Sequence, residues 1–125
     1  MGKRRVRNLQ ALGVKGIVGF DMREDRRREA EEKYGIRTVS DLTTIDTTFF
    51  DAFIISTPPD KHNICLQFAL ERGKPAFVEA SVILEGLEDI NARAKDKGIL
   101  LAPSCTMRFH AAIKDIQRIV QSNAY

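Results

Sequence analysis

The feature that most constrains the fold is a regular alternation of short apolar runs with longer segments of helical character. The apolar runs, each bounded by polar or turn-forming residues, are 17–20, 36–39, 50–57, 75–80 and 98–103. Runs this short and this continuous are typical of strands buried on both faces, and strands separated by helices form parallel sheets. The sequence therefore predicts an α/β fold with one parallel sheet covered by helices on both faces.

Glycine and aspartate residues predict where the helices begin and end. The predicted helices are one that stops at Gly13, then 23–34, 60–72, 85–97 and 109–120. Gly35, Gly73 and Gly98 follow three of them, as expected for residues that terminate helices. Asp60 is predicted to cap the third of these helices, and Asp41 a brief helical turn.

The composition limits the classes of protein to consider. The chain has 125 residues, 43% of them hydrophobic, and 20 basic against 17 acidic residues give a net charge of +3. One folded domain over 1–125 is expected, and a cytoplasmic location, because no secretory signal or membrane span is seen. The purely basic run KRRVR suggests a nucleic-acid arm, but it lacks interleaved aromatic residues, so we expect no nucleic acid and no membrane as partners.

Two cysteines and two histidines raise the question of a metal site. Cys65, Cys105, His62 and His110 form H-x-x-C and C-x-x-x-x-H patterns. These spacings match no standard zinc finger. We therefore expect no metal site and interpret both cysteines as reduced thiols packed as small hydrophobic residues.

The opening MGKRRVRNLQALG resembles the second half of a phosphate-binding motif. A dinucleotide-binding unit begins with a strand, then G-x-G-x-x-G, a helix, and an acidic residue about 20 residues on. Gly2 precedes a predicted helix, and Asp21 ends a predicted strand 19 residues later. Gly2 then corresponds to the third glycine, although an ordinary helix start and an ordinary aspartate explain the same pattern.

The rest of the chain favours the first interpretation. The segments MGKRRVRNLQALG, VGFD, EEKYGI, DAFIISTPPDKH, ALERGKPAFVEA and MRFHAAI resemble, in order, the amino-terminal domain of the Gfo/Idh/MocA family of NAD(P)-dependent sugar and polyol oxidoreductases. The resemblance covers essentially the whole chain. It implies a Rossmann-like, doubly wound parallel sheet that is incomplete, without the first strand and most of the glycine-rich loop.

The resemblance also implies a cofactor site for NAD or NADP. The implied cofactor-binding residues are Gly2, Asp21, Arg23, Thr57, Pro58, Pro59, His62 and Glu79. Asp21 would accept hydrogen bonds from the ribose hydroxyls and favour NAD, whereas Arg23 is either near a 2′-phosphate or simply solvated. His62 is either part of this site or an ordinary helix-surface residue.

The catalytic lysine of the family is missing from this chain. The family has a Glu-Lys-Pro tripeptide where this sequence has Glu79-Ala80-Ser81. Alanine can neither transfer a proton nor polarise an alcohol oxygen, so we predict no catalytic residue here. The resemblance covers only the family's amino-terminal domain, and the domain that carries most of the family's substrate pocket has no counterpart in this sequence, so we expect a sugar-like substrate to require a second domain.

Without the first strand, the predicted sheet has a gap at its centre. In the strand order 3-2-1-4-5-6, the strands at Ile17 and Phe53 would lose their common neighbour. Either the chain is a fragment of a longer protein, which we favour, or the two strands pair directly, or a second chain fills the gap. We expect a homo-oligomer formed through this edge.

The sequence leaves two functions open. The chain is either the cofactor-binding part of an enzyme or a non-catalytic, degenerate member of the family that binds nucleotide weakly or self-associates.

Overall fold

The computed structural model of the chain describes residues 2–80 and 83–122. The described helices are α1 (Gly2–Ala11), α2 (Glu24–Tyr34), α3 (His62–Glu71), α4 (Leu87–Asp96) and α5 (Ala111–Gln121). The described strands are β1 (Val18–Phe20), β2 (Arg37–Val39), β3 (Phe53–Ile55), β4 (Ala76–Val78) and β5 (Leu101–Pro103). Helices and strands alternate as predicted, apart from two 3₁₀ turns in succession between β2 and β3.

The strands form two separate parallel sheets. β1 pairs with β2, with Val18 opposite Arg37, and β3, β4 and β5 form a second sheet in that order, with Phe53 opposite Ala76. This is the doubly wound order 3-2-1-4-5-6 with the central strand left out. The predicted Rossmann-like α/β fold is confirmed, and direct pairing of the two flanking strands, one of the three expected solutions, does not occur within the described residues.

Each strand is shorter than the apolar run that predicted it. The run 50–57 contributes only Phe53–Ile55, three residues, because Phe50 ends a 3₁₀ turn and Pro58, which has no amide hydrogen, soon follows. The other described strands also have three residues each. Continuous apolar sequence therefore predicted the positions of the strands better than their lengths.

The hydrophobic core lies on one face of the second sheet, against α3 and α4. Its buried residues are Ile55, Leu66, Ala69, Leu70, Ala76, Ile90 and Ala94. On the opposite face of the sheet, Ile54 remains 40% exposed. Within the described residues α1 lies over this face and leaves an open apolar cleft of about 230 Å³ beside Ile54, so this face is covered only in part.

Several helix ends follow the predicted signals. Gly35 ends α2 in the left-handed conformation, with φ 63°, and its amide donates to the Glu31 carbonyl at 2.9 Å. Gly is favoured there because it has no Cβ to strain this conformation. Asp41 caps a short 3₁₀ turn by accepting from the Thr43 amide, as predicted.

The predicted cap at Asp60 is wrong. Pro59–Lys61 form a 3₁₀ turn, and α3 begins at His62 with Lys61 at its N-cap position and no capping side chain. Asp60 instead forms an exposed ion pair with Lys61 at 3.1 Å. The two prolines tighten the chain into a turn of their own before the helix starts, so the aspartate falls inside that turn.

No described helix combines the length and apolar character required to cross a membrane.

The helices differ in how much of their apolar surface they bury. α5 is amphipathic, and Ile116, Ile119 and Val120 on it are each more than half exposed. The stable packing therefore resides in α3, α4 and the second sheet.

Candidate functional site

Two of the predicted site residues, Thr57 and Glu79, lie at the carboxyl edge of the second sheet. The Glu79 amide donates to the Ile55 carbonyl at 3.0 Å, and the Ser104 amide donates to the Val78 carbonyl at 2.7 Å. These bonds place Thr57, Glu79 and Ser104 at the ends of adjacent strands. In open parallel sheets this is the edge at which ligands bind.

The first turns of α1 lie at the same edge. The Arg5 guanidinium contacts the Glu79 carboxylate at 2.7 Å and the Ser104 hydroxyl at 3.4 Å. Lys3 forms an ion pair with Glu29 of α2. The amino end of α1, with unpaired backbone amides that favour anions, is thus held between α2 and the second sheet.

Gly2 begins α1 and is exposed. A Cβ placed there would meet no atom within 4 Å. The described residues therefore leave open space around the glycine, as a close approach by a phosphate group to the backbone requires.

Asp21 directly follows β1 and organises the turn into α2. Its carboxylate accepts from the Arg23 amide at 2.9 Å and lies 3.6 Å from the Arg26 guanidinium. The side chain remains 34% exposed. Asp21 is thus fixed in position and still accessible to a ligand at the end of its strand.

Arg23 points away from this carboxylate toward Asp25. Its Nε donates to Asp25 Oδ1 at 3.0 Å. The hydrogen bond and the charge of Asp25 raise the pKa of Arg23, and the same guanidinium lowers the pKa of Asp25. Arg23 would have to leave this partner to meet a phosphate.

His62 anchors the Thr57-Pro58-Pro59 turn from inside the protein. The ring is 2% exposed, and its Nε2 donates to the Thr57 carbonyl at 2.9 Å. The interpretation of His62 as a helix-surface residue is therefore wrong. Pro58 and Pro59 are exposed on the outer side of the same turn.

Two buried polar atoms at this turn have no hydrogen-bond partner among the described residues. They are Ser56 Oγ and His62 Nδ1. Buried polar atoms are normally satisfied by protein or by ordered water, so an unsatisfied pair calls for an explanation. A turn that borders a polar ligand or its waters supplies one.

The position of the family lysine has no charge. Ala80 is exposed and directly follows Glu79 at the carboxyl edge, while Ser81 lies outside the described residues. Glu79 itself has a side chain only 12% exposed because Arg5 covers it. No cation at position 80 is available to act on a substrate hydroxyl.

The cysteines differ from the sequence prediction in one respect. Cys65 on α3 packs against the core, and burial raises its thiol pKa. Cys105, in contrast, is exposed, so its interpretation as a packed hydrophobic residue is wrong. The described residues contain no group of three or more potential ligands placed to hold a metal ion.

Several solved structures that resemble this chain are dehydrogenases. Myo-inositol 2-dehydrogenase from Lactobacillus plantarum has a TM-score of 0.86 and 20% identity, covering 98% of this chain. The WlbA dehydrogenase from Bordetella pertussis in complex with NADH and UDP-GlcNAcA has a TM-score of 0.85 and 17% identity, covering 97%. This chain has the fold of a Rossmann-like dehydrogenase domain. The neighbours are of Gfo/Idh/MocA type, so the resemblance predicted from the motifs is confirmed.

The likeness extends over only part of each neighbour. This chain spans 38% of the length of both proteins and 33% of KijD10, a 3-ketoreductase from Actinomadura kijaniata in complex with NADP and TDP-benzene, with a TM-score of 0.73 and 20% identity over 84% of this chain. No protein-family model and no curated protein matches the sequence. The neighbours bind NADH in one case and NADP in another.

Sequence reasoning missed three residues at the carboxyl edge. Arg5 was only one of several basic residues in KRRVR, and its partner Glu79 lies 74 residues away. Ser104 directly follows the apolar run 98–103, and Ser56 lies beside the more distinctive Thr-Pro-Pro. Only Ser104 had a usable signal, its position at the end of an apolar run.

Proposed function

We propose that this chain is the NAD(P)-binding part of an oxidoreductase that acts on a sugar or polyol, and that it is not catalytic as it stands. The observation that carries the proposal is the meeting of the amino end of α1 with Glu79 and Ser104 at the carboxyl edge of the sheet. A helix amino terminus at such an edge is the usual position for a dinucleotide pyrophosphate. The fold neighbours that bind NADH or NADP support the same assignment.

The proposed roles follow from where each side chain lies. Backbone amides of the first turn of α1, beginning at Gly2, would hold the pyrophosphate, and Asp21 would accept from the ribose hydroxyls. The turn from Thr57 to Pro59 would border the dinucleotide. We assign His62 to support of that turn, because its ring is buried beneath it.

NAD is the preferred cofactor in this proposal. The carboxylate of Asp21 repels a 2′-phosphate, Arg23 is bonded to Asp25, and Arg26 is paired with Asp21 itself. Binding of NADP through Arg23 or Arg26 would require one of these ion pairs to break.

The chemistry of such a protein is hydride exchange between a nicotinamide ring and a carbon bearing a hydroxyl or carbonyl group. This chain contributes the binding surface, while Ala80 supplies no acid, base or cation. Turnover of a sugar-like substrate would therefore depend on groups from a second domain. A cytoplasmic location remains our prediction and agrees with two unpaired cysteines.

The test is a titration of the purified protein with NADH and then NADPH. The chain has no tryptophan, so enhancement of NADH fluorescence can be followed without tryptophan background. We expect saturable binding that ADP-ribose competes away, and tighter binding of NADH than of NADPH. Absence of saturable binding by a protein whose circular dichroism shows a folded α/β domain would overturn the proposal.

A second candidate function is self-association, favoured by the open strand edges at the gap. β1 pairs on one side with β2, and β3 pairs on one side with β4, so each has a free edge within the described sheets. Free edges in an apolar sheet template pairing with another chain. We expect a dimeric mass by light scattering across a range of protein concentrations, and a strictly monomeric mass would count against this function.

A further inference from the structure

α1 crosses from one sheet of the protein to the other. Lys3 pairs with Glu29 on α2, and Gln10 Nε2 donates to the Tyr34 carbonyl at the end of α2 at 2.7 Å. Both ends of α1 are thereby attached to the β1–β2 half. No residue of α1 is buried, so apolar packing alone does not hold it against the other half.

The attachment to the second sheet is concentrated on Arg5. Its Nε and Nη2 atoms both reach Glu79 Oε1, at 2.8 Å and 2.7 Å, and Nη2 donates to Ser104 Oγ at 3.4 Å. The guanidinium carbon lies 4.8 Å from the centre of the Phe77 ring. Four interactions therefore join one side chain of α1 to Phe77 of β4, to the residue after β4 and to the residue after β5.

The ion pair between Arg5 and Glu79 is buried enough to contribute to stability. The side chain of Arg5 is 20% exposed and that of Glu79 is 12% exposed. Ion pairs on the open surface contribute little because water and salt screen them, whereas partly buried, hydrogen-bonded pairs resist screening. The other ion pair of α1, between Lys3 and Glu29, joins side chains that are 51% and 43% exposed.

We propose that Arg5 is the positioning residue that anchors α1 across the gap between the two sheets, and that Glu79 acts on cofactor binding through Arg5 and not by touching the dinucleotide. The second clause rests on the proposed function; the first does not. Arg5 holds the first turn of α1 at the carboxyl edge, where its amides face the site. Glu79 is the fixed point on the sheet to which this turn is attached.

Arginine is suited to this position in a way that lysine is not. A planar guanidinium can stack near an aromatic ring while donating in its own plane to a carboxylate and a hydroxyl. A lysine ammonium offers a point charge and would keep the attraction to Glu79 without the combined geometry. Arg5→Lys should therefore retain only part of the anchor.

The first test measures amide hydrogen exchange in α1 and does not depend on any ligand. Arg5→Ala should accelerate exchange of the α1 amides by at least about tenfold, the loss of a charge-assisted contact, while leaving β4 protected. Arg4→Ala is the matched control, since Arg4 is the neighbouring arginine on the same helix and is exposed. Equal exchange rates of the α1 amides in Arg5→Ala and Arg4→Ala would overturn the proposal that Arg5 anchors α1.

A charge exchange separates a specific pair from general loss of stability. Arg5→Glu and Glu79→Arg should each accelerate α1 exchange, and the double variant should recover part of the protection, because the ion pair returns while the contacts of Arg5 with Ser104 and Phe77 do not. Glu79→Gln, which keeps the side-chain shape, serves if a reversal does not fold. Failure of the double variant to recover, with both single variants folded, would contradict direct pairing.

The link to the cofactor is tested by NADH fluorescence titration of the same variants. We expect Arg5→Ala and Glu79→Gln to weaken NADH binding by a similar factor, and the charge-exchanged variant to recover affinity along with protection. If the exchanged variant regains exchange protection but no NADH affinity, Glu79 contacts the dinucleotide itself, and the proposal is wrong on this point. If the unmodified protein binds no NADH, the proposed function fails. The hydrogen-exchange rates of the α1 amides still show whether Arg5 anchors α1.

Discussion

At the scale of single residues, Asp21 combines two roles that a substitution can separate. Its carboxylate caps the Arg23 amide and, in the proposed function, accepts from the cofactor ribose. Asparagine keeps a side-chain carbonyl for the cap but loses the charge that repels a 2′-phosphate. Asp21 is therefore the natural position at which to test cofactor preference.

We predict that Asp21→Asn weakens NADH binding by about tenfold, the typical effect of replacing a hydrogen bond to a charged group. NADPH binding should weaken less or improve, because the repulsion is removed. Asp96→Asn, at the far end of α4, is the control and should change neither affinity. Parallel loss of NADH and NADPH affinity in Asp21→Asn would contradict the assignment of ribose binding to this residue.

The two thiols should differ in reactivity. Burial raises the pKa of Cys65, so its thiolate forms only at higher pH than usual, and its sulfur is less accessible. Exposed Cys105 should react with iodoacetamide well before Cys65 at neutral pH, and raising the pH should narrow the difference. Mass spectrometry of the alkylated peptides measures both rates, and equal labelling at neutral pH would refute the burial of Cys65.

At the scale of elements, α3 provides most of the packing against the second sheet. Leu70 is 0% exposed in the core, whereas Ile64 on the same helix is 64% exposed. Removing methyl groups from a buried site leaves a cavity that the surroundings fill only in part. The two residues thus offer a matched pair of truncations on one helix.

Leu70→Ala should lower the free energy of unfolding by about 2–5 kcal/mol, and Ile64→Ala by no more than about 0.5 kcal/mol. Urea denaturation followed by circular dichroism measures the difference. A similar small loss in both variants would show that the core is not where the structure places it.

The elements were largely predictable from sequence, and their ends less so. Apolar runs predicted every described strand because a buried parallel strand needs continuous apolar residues, and Gly35 predicted a helix end because its backbone conformation favours glycine. The helix cap predicted at Asp60 is wrong because Pro59 begins a 3₁₀ turn before the helix starts. Arg5 was not predictable as an anchor, since its partners lie far away in the chain and no local pattern distinguishes it from Arg4.

At the scale of the whole molecule, the two halves differ in how much apolar surface they bury. Among the described residues, the β1–β2 half has one buried hydrophobic residue, Ile36, while the other half contains the core cluster. Local stability depends on such burial, so the halves should open independently. The gap in the sheet is therefore also a boundary in stability.

Hydrogen exchange should reveal this boundary directly. We predict that amides of Val18–Phe20 exchange at least about tenfold faster than those of Ala76–Val78, because fewer buried contacts oppose their opening. Addition of NADH, if it binds as proposed, should slow exchange in the first half more than in the second. Uniform protection across both sheets would show that the protein unfolds as one unit.

The connection between the halves runs through the segment 40–52, which consists of two short turns capped by Asp41 and Asp46. Each cap is a local contact to a threonine two residues on, and Lys74 of the second half donates to the Thr48 carbonyl at 3.3 Å. A cut between the two turns would place α1, with Arg5, and Glu79 on separate polypeptides. Association of the two pieces would then depend on contacts such as those of Arg5 with Glu79 and Ser104, so binding that orders α1 would be read out as complementation of a divided chain.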